Sequence, residues 1–389
     1  MTSSIVNRVR PSGIRKFFDV PPGGISLGVG EPDFVTPEHI RQAAIASIEA
    51  GKTHYTSNYG ILGLRERIAA EMERLYGVRY DPKDEILVTV GASEAIDIAV
   101  RAILEHGDGV LLPEPGYVSY AACVALAGGI VQTVPTQPDR GFSLTAHDVE
   151  AAITPQTRAI VMGFPNNPTG AVLEPDEAQK IVDLCVEHDL LIVSDEIYHR
   201  LVYGRPHVCM AALKGARERT ILVNGFSKAY AMTGWRLGYA CAPAEVIEAM
   251  MKIHQYVVMS APTAAQYAGI EALAHGEADV QAMLQEYDRR RRHLVSGLNA
   301  IGLTCVEPMG AFYAFPSIAG TGMSSDEFSN RLFDEEHVAV VPGTAFGAQG
   351  EGHVRICYAT AYELIEEALA RMKRFVERHS LAAAPARST

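Results

Sequence analysis

The chain has 389 residues, 48% hydrophobic and 21% charged, the balance of an ordinary folded protein long enough for two domains. Its formal net charge of −12 gives a field that repels polyanions, which argues against nucleic acid and anionic membrane as partners. Six scattered cysteines form no C-x-x-C pair and no apolar run approaches membrane-spanning length, so a reduced, cytoplasmic setting without a metal site is expected.

The first residues carry Arg8, Arg10, Arg15 and Lys16 with no long apolar core, which does not read as a secretory leader. A loosely helical pattern runs from Ile5 to Phe18 until Pro21-Pro22-Gly23-Gly24 breaks it. Ile25 to Phe34 then reads as a short strand entering a glycine-rich turn, where Gly30 has no Cβ to keep its backbone away from a ligand. Thr36-Pro37 opens a helix, Asn58-Tyr59-Gly60 turns, and Leu64 to Tyr76 is helical again.

From residue 85 the pattern becomes strand, polar turn, helix, repeated. Short apolar runs occur at Ile86–Val90, Val110–Leu112, Ile130–Val134, Ala159–Met162, Leu190–Val193, Ile221–Val223 and Leu237–Ala240. Helical patterns such as Pro175–Glu187 and Ala244–Tyr256 fill most gaps. The expected fold class is therefore α/β, with a mainly parallel sheet covered by helices and active groups at the carboxyl ends of the strands. A long helical region, Pro262 to Leu298, precedes a different texture. Strand-like Leu303–Val306, Gly310–Phe315, Val338–Val341 and Val354–Cys357, followed by the helix Tyr362–Glu377, predict a smaller α+β domain. The expected division is an N-terminal arm with part of the small domain (1–45), a large domain (46–290) and a small C-terminal domain (291–389). The small and polar stretch Ala382–Thr389 is expected to be disordered.

Chemistry concentrates in Asn224 to Gly238. Lys228 follows the strand Thr220–Val223, with Ser227 beside it and Arg236 and the only Trp, Trp235, shortly after. A lysine buried among cations and apolar groups loses its proton readily and becomes a nucleophile toward an aldehyde, while arginine and serine suit a phosphate. Taken alone, a Ser-Lys pair after a strand reads as an exposed loop. Lysine for an aldehyde together with arginine for a phosphate points to pyridoxal phosphate.

Other stretches add to this. Gly91-Ala92-Ser93 lies between a strand and a helical run, a turn whose free N–H groups can cradle phosphate. Asp195 ends an apolar strand, where it either caps the next helix or pairs with a protonated ring nitrogen. Tyr198 and Asn167 could reach the same ring, although Asn167 sits in a Pro-rich turn that needs no ligand. Tyr117 could stack on a flat ring or be a half-buried loop tyrosine. Arg355, in the apolar strand Val354–Ala359, needs an anion, either a substrate carboxylate or an internal acid. Arg289 to Arg292, near Glu286 and Asp288, reads as a solvated helix face with local salt bridges.

In order along the chain, Gly30-Glu-Pro-Asp-Phe34, Tyr55 with Gly60 and Leu64-Arg65, Gly91-Ala-Ser93, Asn167-Pro-Thr-Gly170, Ser194-Asp-Glu-Ile-Tyr198, Ser227-Lys228, Gly234-Trp-Arg-Leu-Gly238, Gly310-Ala-Phe-Tyr313 and Arg355 form a joint pattern. Through it the chain resembles, over nearly its whole length, the fold-type I, pyridoxal-phosphate-dependent class I/II aminotransferases, in their aromatic and aspartate branch. The resemblance implies Lys228 as the Schiff-base lysine and proton shuttle, and Asp195 on the ring nitrogen. It places Asn167 and Tyr198 on the ring oxygen and Tyr117 on the ring face. Ala92, Ser93, Ser227 and Arg236 would hold the phosphate, with Tyr55 reaching in from a second subunit of a homodimer. Gly30, Asn167 and Arg355 would bind the substrate. The implied activity moves an amino group from an L-amino acid to a 2-oxo acid such as 2-oxoglutarate by a ping-pong mechanism.

Some aspartate-using relatives place a lysine where this chain has Ser93, so an aromatic or broad-range donor is expected, with aspartate as the alternative. A C–S β-lyase of the same fold would use the same Lys228 and Asp195. A cofactor-sensing regulator would carry an N-terminal DNA-binding domain, and about two dozen residues before the Gly30 motif are too few for one.

Overall fold

A computed structural model describes residues 2–9, 11, 13–14 and 20–380, with Arg8 described in its backbone alone. The end of the first expected helix, the basic residues Arg10, Arg15 and Lys16, and the tail Ala382–Thr389 lie outside the described residues.

The chain runs through α1 (Ser4–Arg8), β1 (Ile25–Ser26), α2 (Glu38–Glu49), α3 (Leu62–Tyr76), β2 (Ile86–Thr89), α4 (Gly91–Ile103), β3 (Gly109–Glu114), α5 (Ser119–Leu126), β4 (Ile130–Pro135), α6 (Ala146–Ala152), β5 (Thr157–Gly163), α7 (Pro175–Glu187) and β6 (Leu191–Asp195). It continues with β7 (Thr220–Gly225), β8 (Gly238–Cys241), α8 (Ala244–Val257), α9 (Thr263–His275), α10 (Glu277–Ala300), β9 (Tyr313–Ala314), α11 (Ser325–Glu336), β10 (Val338–Ala339), β11 (Val341–Pro342), β12 (Val354–Cys357) and α12 (Tyr362–His379).

The seven apolar runs expected as strands form one sheet in the order β2-β8-β7-β6-β5-β3-β4. Every pairing is parallel except the two made by β8. No α-helix lies between β7 and β8 to carry a parallel crossover, so the chain doubles back. Burial on both faces explains the continuous apolar runs. Leu87, Val161, Val193 and Val223 pack with α4, α5 and α8 on one face. Ile86, Val88 and Leu222 meet α3 and α9 on the other, and Ile160 and Ile192 meet α7 there. β4, at the edge, is the exception, with Ile130 exposed.

A second apolar cluster, of α10, α11 and α12 with β9, β10 and β12, covers one end. β1 joins it by pairing in parallel with β10, and β11-β12-β9 form an antiparallel sheet.

Four expectations are corrected. Leu303–Val306 is buried at Leu303 and Cys305 but forms no strand, because its backbone bonds to the Asn299 side chain and to Ser317 instead of a ladder. Val338–Val341 divides at Val340, one half pairing with β1 and the other with β12. The helical region after Pro262 breaks at Gly276, where the Tyr230 ring packs so close that a Cβ would lie 2.9 Å from it. The first helix stops at Arg8, two residues after Val6 and short of Pro11, which has no N–H to continue it.

Candidate active site

The carboxyl ends of β5, β6 and β7 lie side by side, with Gly163 opposite Asp195 and Asp195 opposite Val223. Asn167, Asp195 and Lys228 leave these strand ends and line one cavity of about 410 Å³. Gly30, Ala92, Ser93, Tyr117, Tyr198, Ser227, Arg236 and Arg355 line it too. Of the candidate residues only Tyr55 stands apart, 81% exposed on the surface.

Lys228 Nζ donates to the Gly30 carbonyl at 2.7 Å. Burial pulls its pKa down to about 8, with the Arg355 and Arg236 cations acting in the same direction and Cys357 and Glu31 opposing. Asp195 is 5% exposed. Its Oδ1 accepts the Ile197 N–H at 3.2 Å and its Oδ2 accepts the Tyr120 hydroxyl at 2.8 Å. Burial raises this carboxyl to about 6, against the downward pull of those bonds. No ion pair to Asp195 forms among the described residues, so a buried carboxylate faces the cavity without a cation in contact.

Asn167 is set by a turn that Asn166 locks, its Oδ1 accepting from the Thr169 N–H and hydroxyl at 3.2 and 2.8 Å. Asn167 Oδ1 in turn accepts from Arg355 Nη1 at 2.9 Å. Arg355 is 1% exposed, and its bonds go to neutral oxygens, those of Asn167 and the Gly28 carbonyl, while its Nε has no partner. A buried guanidinium without an anion is costly, which marks this as a place for a carboxylate ligand. The internal-acid alternative for Arg355 is thereby excluded among the described residues.

Opposite, α4 opens at Gly91 with φ +79°, a backbone that favours glycine. A Cβ there would lie 2.5 Å from Arg236 Nη2, and one at Gly238 would lie 2.5 Å from the Ala92 nitrogen. The two glycines keep a cradle open between the first turn of α4 and the Arg236 guanidinium, which otherwise donates to the Thr233 carbonyl. Free N–H groups at a helix start beside an arginine hold a dianion well.

Sequence reasoning missed two hydroxyls. Tyr120, one helical turn after Tyr117, holds Asp195 and packs edge-on against the Tyr117 ring at 5.5 Å. Tyr313 Oη meets Tyr198 Oη at 2.8 Å and passes over Gly30, where a Cβ would lie 2.2 Å away. The i, i+3 spacing of Tyr117 and Tyr120 was the available signal for the first, and the Gly310–Tyr313 motif for the second. The arginine run is also corrected. Arg289 and Arg292 are exposed and pair locally, but Arg290 and Arg291 are buried. Arg290 reaches Asp33 at 2.8 Å and ties α10 to the Gly30 loop, and Arg291 reaches Glu307 and the Pro308 carbonyl.

A lysine whose pKa burial lowers is thus set at the strand ends of a mainly parallel, doubly covered sheet, between an anion cradle, a buried carboxylate and an unpaired guanidinium, which is the layout of a fold-type I pyridoxal-phosphate enzyme. The sequence pattern of aminotransferase class I and II matches residues 22–372, and the chain belongs to that family. It is similar to an aromatic-amino-acid aminotransferase of Thermococcus litoralis, 47% identical, with 97% of this chain and 99% of the relative covered. An aspartate aminotransferase of Pyrococcus abyssi is 46% identical at the same coverage. The crystal structure of an aromatic aminotransferase from Pyrococcus horikoshii superposes with a TM-score of 0.90 at 46% identity, covering 94% of this chain and 98% of that one. The protein is an aminotransferase, and enzymes of this family and fold use pyridoxal 5′-phosphate.

Proposed function

We propose that the protein moves the amino group of an L-amino acid, aromatic or broad-range, to a 2-oxo acid such as 2-oxoglutarate by a ping-pong mechanism. The observation that carries the donor class is the cation content of the cavity. Lys228, Arg236 and Arg355 are the Lys and Arg residues that line it among the described residues, and each has a task at the common part of the reaction. None is left for a side-chain carboxylate, while Ile14, Val29 and Val118 add apolar wall and Glu31 adds an opposing charge. A preference for aspartate would need a further cation or a set of neutral donors for the second carboxylate, from this subunit or from its partner. Phenylalanine and aspartate, added separately to the holo-protein without an acceptor, test this through the change in cofactor absorbance. Conversion by aspartate and not by phenylalanine overturns the donor class, and keto acid with ammonia from a sulfur amino acid favours the lyase alternative.

The cradle, the unpaired carboxylate and the orphaned guanidinium nitrogen fit pyridoxal phosphate and an amino acid. Ala92, Ser93, Ser227 and Arg236 would hold the phosphate, Asp195 the ring nitrogen, Asn167 and Tyr198 the ring oxygen, and Tyr117 the ring face. When bound, the cofactor supplies an aldehyde for amino-group exchange and a protonated ring that draws electrons from the substrate α carbon. Lys228 Nζ, neutral above its lowered pKa of about 8, takes the proton from that carbon and would deliver it to the carbon on the far side of the amino nitrogen. Asp195, ionised above its raised pKa of about 6 and accepting from Tyr120, would keep the ring nitrogen protonated. Gly30 and Arg355 orient the α-carboxylate so that the α C–H bond faces Lys228.

We also assign a homodimer in which Tyr55 completes the partner's phosphate site. Support comes from exposed Tyr55, Tyr256 (88%) and Val257 (69%), on segments that the Asn58–Gln255 and Thr263–His54 hydrogen bonds bring side by side. Sedimentation as a monomer at micromolar concentration would overturn it. A division into a large and a small unit is supported by the seven-stranded sheet lying wholly between residues 45 and 290 and by β1 pairing with β10, although those two positions fall within α2 and α10. Limited proteolysis tests that division. A cytoplasmic location is supported by six free thiols, and tagging the chain in its native cell tests it.

A further inference from the structure

His254, near the end of α8, is fully buried, yet the reaction gives it no task. Its Nδ1 lies 2.8 Å from Glu94 Oε1 on α4, and its Nε2 has no partner among the described residues. The other oxygen of Glu94 accepts the Val90 N–H at 2.5 Å, so the carboxylate joins the imidazole to the backbone just before Gly91. Thr89 Oγ1 donates to the Gly91 carbonyl at 3.0 Å, and Gly238 packs beneath the same turn. α4 and α8 share one apolar cluster, with Ala95, Ile96 and Ala99 on α4 and Ile247 and Met250 on α8. An apolar residue at 254 would continue that face without leaving a buried ring nitrogen unsatisfied. What histidine adds is one N–H aimed at Glu94, and the rotamer of Glu94 decides whether its second oxygen reaches Val90.

We propose that His254 is a positioning residue that, through Glu94, fixes the Val90–Gly91 turn and thereby sets how tightly the start of α4 grips the cofactor's phosphate. This rests on the reading that Ala92, Ser93, Ser227 and Arg236 receive that phosphate. Without the imidazole, Glu94 turns toward solvent, the Val90 N–H loses its acceptor, and the cradle opposite Arg236 widens.

The test is equilibrium dialysis of the purified apo-protein with pyridoxal phosphate and, separately, with pyridoxal, which has no phosphate. His254→Leu is expected to raise the Kd for pyridoxal phosphate roughly tenfold or more, the scale of one lost hydrogen bond to an ionised group, and to leave that for pyridoxal unchanged. His254→Gln, which keeps an N–H for Glu94, should restore most of the affinity, and Glu94→Leu should match His254→Leu. Equal weakening toward both ligands would mean general damage and overturn the proposal. So would an unchanged Kd in His254→Leu when Arg236→Ala still loses affinity. If Arg236→Ala also binds pyridoxal phosphate normally, the phosphate reading falls and the brace with it.

Discussion

Replacing Asp195 by asparagine separates what the site costs the fold from what it gives the reaction. In the apo-protein the buried carboxyl has its pKa raised from 3.8 to about 6. A folded-state pKa above the unfolded one means that the folded chain binds the proton more tightly. The resulting stability is fully present below about pH 3.8 and is lost as pH rises to about 6. Above that, the ionised carboxylate costs the apo fold about 3 kcal/mol, at about 1.4 kcal/mol for each pKa unit. Asparagine keeps an acceptor for the Tyr120 hydroxyl and the Ile197 N–H but cannot ionise. Apo Asp195→Asn is therefore expected to melt above the wild type at pH 8 by roughly 3 to 6 °C, an advantage that shrinks through pH 6 to 4. An amide cannot balance a positive ring nitrogen, so the same variant should lose about a thousandfold or more in kcat/KM, the equivalent of about 4 kcal/mol. Calorimetry of both apo-proteins across pH, with steady-state kinetics of the reconstituted enzymes, measures both. A melting advantage that is the same at every pH would refute the burial argument, and retained turnover would refute the role of Asp195.

Lys228, pulled down to about 8, is protonated below that pH and neutral above it. Capture of pyridoxal phosphate by the apo-protein, which needs the free amine, should accelerate with pH and level off above about 8 in stopped-flow traces, and Lys228→Ala should abolish turnover. Arg355→Lys replaces the two-pronged donor by a point charge, and kcat/KM should fall roughly tenfold to a hundredfold for every amino donor alike, a uniform loss that a donor panel reveals. Gly91→Ala places a methyl group 2.5 Å from Arg236 Nη2 on a backbone at φ +79°. It should weaken pyridoxal phosphate in dialysis far more than pyridoxal, and equal affinity for wild type and variant would show that the cradle is not there.

The large sheet was legible because all its strands but the edge strand β4 are buried on both faces, so each of these is an apolar run whose meaning does not depend on register. The catalytic candidates were legible for a related reason. Asp195 ends such a run and Lys228 follows one after a short turn, and although each alone could be a helix cap or a solvated loop, their place among the other ordered motifs made them candidates. The small C-terminal strands were harder to place. β10 and β11 are two residues each and belong to different sheets, and only a partner distant in sequence, β1 for one and β12 for the other, divides Val338 to Val341 at Val340.

Arg290 shows the limit most clearly. By local spacing it belongs with Glu286, and that pair does form, at 2.8 Å. The same guanidinium also bonds Asp33, 257 residues away, with its plane near the Phe34 ring. An i, i+4 pattern records the first bond and is silent on the second, because helix periodicity carries no information about what packs against the helix. Yet the second bond is the one that bears on function. Asp33 lies three residues beyond Gly30, whose carbonyl accepts from Lys228, so a salt bridge on an apparently solvated helix anchors the loop against which the reactive amine is held.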